Sequence, residues 1–392
     1  MRILQVTQSF KPAWETGGPC RAAYEISRTL VDRGHNVTVL TTDRGKPRVK
    51  APRNVPWNVD GIRTYYMSNI SNYLAAHNMT FPCLIPLVAR REVEHFDVIH
   101  IHEHRTVLAA TVAYYAQKSG IPYVVQCHGS ALPSNEKQAA KRMFDWICGD
   151  RLLKRASRVI ALTKTEAGQL DRIGVARDKV RIVPTGINLS EYDDSLKKGM
   201  FRDEHGIHAN EKIVLYVGRI HKNKGIDILI EAFSQIEESL NARLMIVGPD
   251  DGHRKHLENV VEHLGLDGKV SFVGYVTNET RLSAFADSDV FVTPSFSGFP
   301  ATFLEACASG LPVVMTNKGD ELDWVHERVG YVVDYDSNEL AKAIQKLLMN
   351  EYLRKRYGEA ARNLMKEEFA WDRIVSKIEE TYREAIGERR TP

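Results

Sequence analysis

Residues 290–316 read VFVTPSFSGFPATFLEACASGLPVVMT. The apolar run VFVTPS gives way to a loop shaped by Gly298 and Pro300, and a short apolar helix, ATFLEACAS, follows. Gly310 and Pro312 stop that helix, and PVVMT begins a second apolar run. Strand, loop, helix, strand is the repeating unit of a parallel α/β sheet, whose strands are buried on both faces. The helix carries one carboxylate, Glu305, about one turn in. A buried carboxylate without a partner is costly, so this charge asks for one.

The same alternation extends in both directions. Upstream, KIVLYVG, RLMIVG and KVSFVGYV read as strands, and GYVVD follows downstream. IDILIEAFSQI, HRKHLENVVEHLG, NETRLSAFADS and SNELAKAIQKLLMN read as the helices between them. Nearer the start, ILQVTQ, HNVTVLTT, FDVIHIH, PYVVQCH and SRVIALT form a second series of apolar runs. The polar stretch 189–211 separates the two series. The reading is therefore α/β, with a Rossmann-like domain over 1–190, another over 191–371, and a C-terminal helix, about 372–392, that can pack back on the first. Ligands of open α/β sheets bind beyond the carboxyl ends of the strands, so two such domains imply a cleft.

The 392 residues are 43% hydrophobic and 26% charged, which excludes a disordered chain. The net charge of +3 gives no argument for nucleic acid. Five scattered cysteines (Cys20, Cys83, Cys127, Cys148 and Cys307) include no C-x-x-C and read as free thiols of a reducing, cytoplasmic compartment. MRILQVTQSF reads as a first strand, not a leader, and no run reaches the ~20 apolar residues of a membrane span.

Two motifs carry chemistry. In YVGRIHKNKGID, 216–227, a strand ends at Gly218, and Arg219 and Lys224 precede a helix starting near Ile226. Two cations beside the positive end of a helix suit a polyanion: arginine can chelate phosphate, and lysine acts as a point charge. A solvated basic turn is the plainer alternative. In the opening stretch, backbone N–H groups from Phe299 to Thr302 would point out of a second helix start. There, Glu305 either holds a ribose diol or complements the helix dipole.

These motifs together resemble the donor site of family 4 glycosyltransferases, which have the GT-B fold. GGPCRAAYEISRTLVDRGHNVTVLT, FDVIHIHEH, VVQCHG, RVIALT and VPTGIN extend the resemblance over nearly the whole chain. It implies a retaining, metal-independent transfer of sugar from a nucleoside-diphosphate donor, of UDP or GDP type, to a glycan or lipid-linked acceptor. Arg219 and Lys224 would neutralise the diphosphate and Glu305 would hold the ribose. Gly298, Phe299, Pro300, Ala301 and Thr302 would bind phosphate and sugar, and Tyr275 and Val276 would flank the base. Gly17 and Gly18 would let phosphate and acceptor approach, and His128 would sit by the transferred sugar. The family commonly has a second glutamate eight residues before the first; here Ser297 stands in that place. Its loss leaves sugar identity open and admits a silent sugar-nucleotide-binding subunit. A nucleotide-sugar epimerase of the same fold is the other alternative. A dehydrogenase is disfavoured because no G-x-G-x-x-G follows the first strand.

Three further features are weighed. His100, His102 and His104 alternate and read as polar cleft lining in preference to a zinc site. Asp287-Ser288-Asp289 reads as a helix end and turn, not a metal–diphosphate motif, and no metal or other cofactor is expected. Residues 134–158 carry Lys137, Lys141, Arg142, Arg151, Lys154, Arg155 and Arg158 among Met143, Phe144, Trp146 and Ile147. They read as a surface helix with its apolar side in the core, with peripheral contact at the inner face of the cell membrane as the alternative.

Overall fold

A computed structural model describes residues 1–52, 55–77, 79–132, 138–192, 198–294, 301–317, 322 and 324–388. The chain divides into two units, one of Met1–Gly186 with the segment from Trp371, the other of Ile187–Ala370.

The first unit is built on eight strands: β1 (Arg2–Val6), β2 (Asn36–Thr42), β3 (Pro56–Val59), β4 (Ile62–Met67), β5 (Val98–His102), β6 (Tyr123–Gln126), β7 (Arg158–Ala161) and β8 (Val180–Ile182). Their order is β3-β4-β2-β1-β5-β6-β7-β8. All neighbours are parallel except β3 and β4, a hairpin closed by Asp60 and Gly61, both at positive φ. Strands β5, β6 and β7 are buried at every residue, as expected where helices cover both faces. One face packs Ile85, Val88, Leu108, Val112, Leu152 and Leu153. The other is covered by helices Gly18–Asp32 and Trp371–Glu388. The latter buries Ile374, Val375, Ile378, Tyr382 and Ala385. Arg33 pairs with Asp372 and Glu379, and Arg158 with Glu384, tying that last helix down.

The second unit has six parallel strands: β9 (Lys212–Val217), β10 (Ala242–Val247), β11 (Val270–Gly274), β12 (Val290–Thr293), β13 (Val313–Thr316) and β14 (Gly330–Val333), in the order β11-β10-β9-β12-β13-β14. The strand ends approach closely: at Gly248, φ +142°, an added Cβ would lie 2.0 Å from the Gly218 carbonyl oxygen. The polar stretch 189–211 contains the short helix Met200–Glu204, whose start is held by Asp287 accepting from the Gly199, Phe201 and Arg202 amides. Asp289 accepts from the Ile213 amide and faces Arg202 and Arg354. Both carboxylates of the D-x-D are thus used structurally.

Each sheet has one point where strand order reverses. In the first it lies between β1 and β5, in the second between β9 and β12. Loops leaving the two strands at such a point diverge and open a crevice. Among the described residues, no helix is long and apolar enough to cross a membrane.

His100, His102 and His104 are fully buried, which corrects the expectation that they line a cleft. β5 is a central strand, and both its faces are covered. Burial pushes His100 and His104 down to about 3 and His102 well below the usual imidazole range. The unfolded chain therefore binds protons near pH 6.5 that the folded chain refuses. Stability should be full above that pH and fall on acidification, by about 1.4 kcal/mol per pH unit for each such histidine. Denaturant titrations at pH 7.5 and 5.0 check this; equal midpoints would contradict it.

Candidate active site

At the second reversal point, the loop after β9 runs from Gly218 to Gly225. Gly225 has φ +68°, ends the turn Lys222–Lys224 and caps the helix Ile226–Ser234. Its backbone lies against the start of the other loop: an added Cβ would sit 3.2 Å from the Pro294 carbonyl oxygen. Lys224 is half-buried, and burial, then the charge of Arg219, lowers its pKa. Among the described residues, no carboxylate pairs with Lys224. Arg219 is 64% exposed and pairs with Asp251. An anion arriving here would relieve the repulsion between the two cations and meet the first amides of a helix.

Of the second loop, Ser297, Gly298, Phe299 and Pro300 lie outside the described residues. Ala301 and Thr302 begin the helix Ala301–Ala308, with Ala301 exposed. Glu305 lies on that helix's buried side, 8% exposed. Its partner within the protein is Arg281, on the helix Asn278–Asp287, which also hydrogen-bonds Tyr192. Removing one member of a buried pair leaves an uncompensated charge and costs about 3–5 kcal/mol, so Arg281 holds Glu305 in place. Tyr275 and Val276 follow β11 on the same sheet edge, two strands from β9; Tyr275 is exposed and Val276 half-buried.

In the first unit, Gly17 (φ +106°) and Gly18 open the helix Gly18–Asp32. A Cβ on either would touch nothing within 4 Å. Backbone conformation requires glycine at 17, while packing within the protein does not require it at 18. At the β1/β5 reversal, Glu103 leaves β5 with φ +65°, accepts from Gln8 Nε2 at 3.2 Å, and faces Arg44. Burial raises its pKa. His128 follows β6 with φ +53°. Its Nε2 lies 2.9 Å from His102 Nδ1, and burial pushes it down to about 4. Two non-glycine residues in the left-handed region on adjacent strand ends mark backbone held against its preference.

Several of these residues escape sequence reasoning. Glu103 stands in the quoted HIHEH, but nothing local signals its backbone conformation. Arg281 is remote in sequence from Glu305, the group it holds. The segment 138–155 also departs from expectation. Asp145 turns inward to a bidentate pair with Arg105, while Met143, Trp146 and Ile147 are 60%, 85% and 62% exposed. A π-helical turn, Asp145–Gly149, shifts the helical phase between them.

Among the described residues, Asp227, His253 and His256 are the group with metal-ligand chemistry, their ligand atoms within 4.8 Å of one another. Each imidazole lies 3.1 Å from Asp227 Oδ1, and the rings stack with planes 26° apart. The Asp227 carboxylate thus faces both rings.

Two sheets of this topology are those of the GT-B fold. The fold is shared with Anabaena HepE, solved in complex with UDP (TM-score 0.78, 22% identity, 98% of this chain and 100% of that one). It is shared also with sucrose-phosphate synthase of Thermosynechococcus elongatus (TM-score 0.74, 23% identity, 99% of each chain). Residues 16–191 match the family described as Glycosyltransferase Family 4, and residues 198–364 that described as Glycosyl transferases group 1. A D-inositol 3-phosphate glycosyltransferase of Salinispora arenicola is 30% identical over 76% of this chain and 71% of its own. An uncharacterized glycosyltransferase of Methanocaldococcus jannaschii is 28% identical over 98% and 99%. The chain belongs to the family 4 glycosyltransferases.

Proposed function

We propose that the chain moves a sugar from a nucleoside-diphosphate donor to a hydroxyl of a glycan or lipid-linked acceptor, with retention at the anomeric carbon and no required divalent metal. The observation that carries this reading is Lys224: a half-buried cation beside a second cation, without a carboxylate partner among the described residues, at the β9/β12 reversal. Departure of the diphosphate concentrates negative charge on the leaving oxygens. Fixed cations and helix amides at that place stabilise it as it develops. Arg219 exchanges Asp251 for phosphate, and Glu305, held by Arg281, is the acceptor for the ribose hydroxyls. Retention fits attack on the face from which the diphosphate leaves, which needs no protein nucleophile. A donor of this class is also what HepE holds in its complex with UDP-glucose.

Assay of UDP- and GDP-sugars against an acceptor panel tests this. Lys224→Ala should lower kcat/KM by about 100-fold or more, and Arg219→Ala less, with the fold unchanged. Full turnover in Lys224→Ala would falsify the phosphate role. Consumption of donor without any acceptor would favour an epimerase, and binding without turnover a silent subunit.

The outward Met143, Trp146 and Ile147, beside Lys141, Arg142 and Arg151, favour contact with an anionic membrane as part of this function. The protein should float with vesicles containing anionic lipid, and Trp146→Ser should weaken this several-fold. Equal recovery with neutral vesicles would refute the contact.

A further inference from the structure

Two helices of the second unit bring three metal-ligand side chains to one point. Asp227 stands in the first turn of the helix Ile226–Ser234, which follows β9. His253 and His256 stand at the start of the helix Arg254–His263, which follows β10. The spacing H-x-x-H places both imidazoles on one side of that turn. Asp250 fixes the turn by accepting from the Gly252, His253 and Arg254 amides. β9 and β10 are adjacent and parallel, so the two helix starts lie at the same edge of the sheet. Sequence spacing alone shows the two histidines but not the carboxylate, which lies 26 residues before the first of them.

Nε2 of His253 lies 3.1 and 3.2 Å from the two oxygens of Asp227, in hydrogen-bond contact. Nε2 of His256 lies 3.1 Å from Asp227 Oδ1. Among the described residues, His256 makes no hydrogen bond. An ordinary ion pair needs one imidazole on a carboxylate. Here two converge on the same oxygen, with ring centroids 4.8 Å apart; protonating both would stack two cations. Ligand atoms held about 2.1 Å from one ion stand about 3.0 Å apart at right angles and about 3.4 Å apart at tetrahedral angles. Both 3.1 Å separations fall within that interval. Asp227 and His253 are half-buried and His256 is exposed, which gives an ion an open way in.

We propose that Asp227, His253 and His256 bind one divalent transition-metal ion of the zinc type, at a site separate from the chemistry of sugar transfer. Two imidazole nitrogens and one carboxylate oxygen suit zinc and its neighbours in the first transition row, whereas Mg²⁺ and Ca²⁺ take shells of oxygen. Three protein ligands leave the remaining positions to water. A bound ion clamps the starts of the two helices together. The loop before the first helix carries Arg219 and Lys224. The loop before the second carries Asp251, the partner of Arg219. The ion therefore stiffens the edge of the sheet on which those two cations stand, and it does so whether or not a nucleotide binds there.

Zinc titration of the full chain, stripped of metal with a chelator and carrying no histidine tag, tests this by calorimetry. One saturable site is expected, and zinc should raise the Tm, because an ion bound to the folded chain stabilises it. His256→Asn and Asp227→Asn should each weaken binding about 100-fold or more and remove the rise in Tm. His263→Asn, on the same helix but outside the triad, should bind as the unmodified chain does. A large excess of Mg²⁺ should not compete. Should Asp227→Asn fail to fold, His256→Asn decides, since that position is exposed. The proposal is overturned by the absence of a saturable zinc site, or by affinity and Tm unchanged in the folded variants. Effective competition by Mg²⁺ would overturn the assigned class of ion.

Discussion

Strand order reverses beside β9, and the proposed donor chemistry depends on that reversal. The connections after β9 and β12 lead to strands on opposite sides of the reversal, β10 and β13. The first carries Arg219 and Lys224 into the opening; the second leads to the helix that carries Glu305. Gly225, against the Pro294 carbonyl, lets the two loops approach without filling the space. A side chain there would face both a left-handed backbone and an occupied neighbour.

Charge in the molecule is handled in two ways. Several carboxylates are matched in place: Glu305 by Arg281, Asp145 by Arg105, Asp287 by three amides. Lys224 differs: among the described residues no carboxylate pairs with it, and it is partly removed from water beside another cation. Such an arrangement costs stability in the free protein and is offset when an anion binds. In the first unit a buried row of hydrogen bonds joins His128, His102, Gln5, Tyr382 and His100.

The fold was legible because parallel strands buried on both faces are largely apolar, as VFVT and PYVVQ are. The candidate site was legible as motifs after strands: Arg219 and Lys224 in the loop that follows β9, and Glu305 on the helix that follows β12. Legibility ended where a residue's role is set by something far away in the chain. The partner of Glu305 comes from a helix two elements earlier, so the lone charge in ATFLEACAS could be noticed but not matched. His100 and His102 alternate as cleft residues would, yet the helix that covers them begins at Trp371. The outward turn of Trp146 follows from the inward demand of Asp145 and a π-helical turn, which a 3.6-residue projection does not contain.

Hydrogen–deuterium exchange with and without saturating UDP or GDP tests the central claim, that the β9/β12 reversal holds a nucleoside diphosphate. Slowed exchange is predicted over 216–230 and 295–305, the two loops and the helix starts behind them. Unchanged exchange in both segments, with protection confined to residues 1–186, would contradict it.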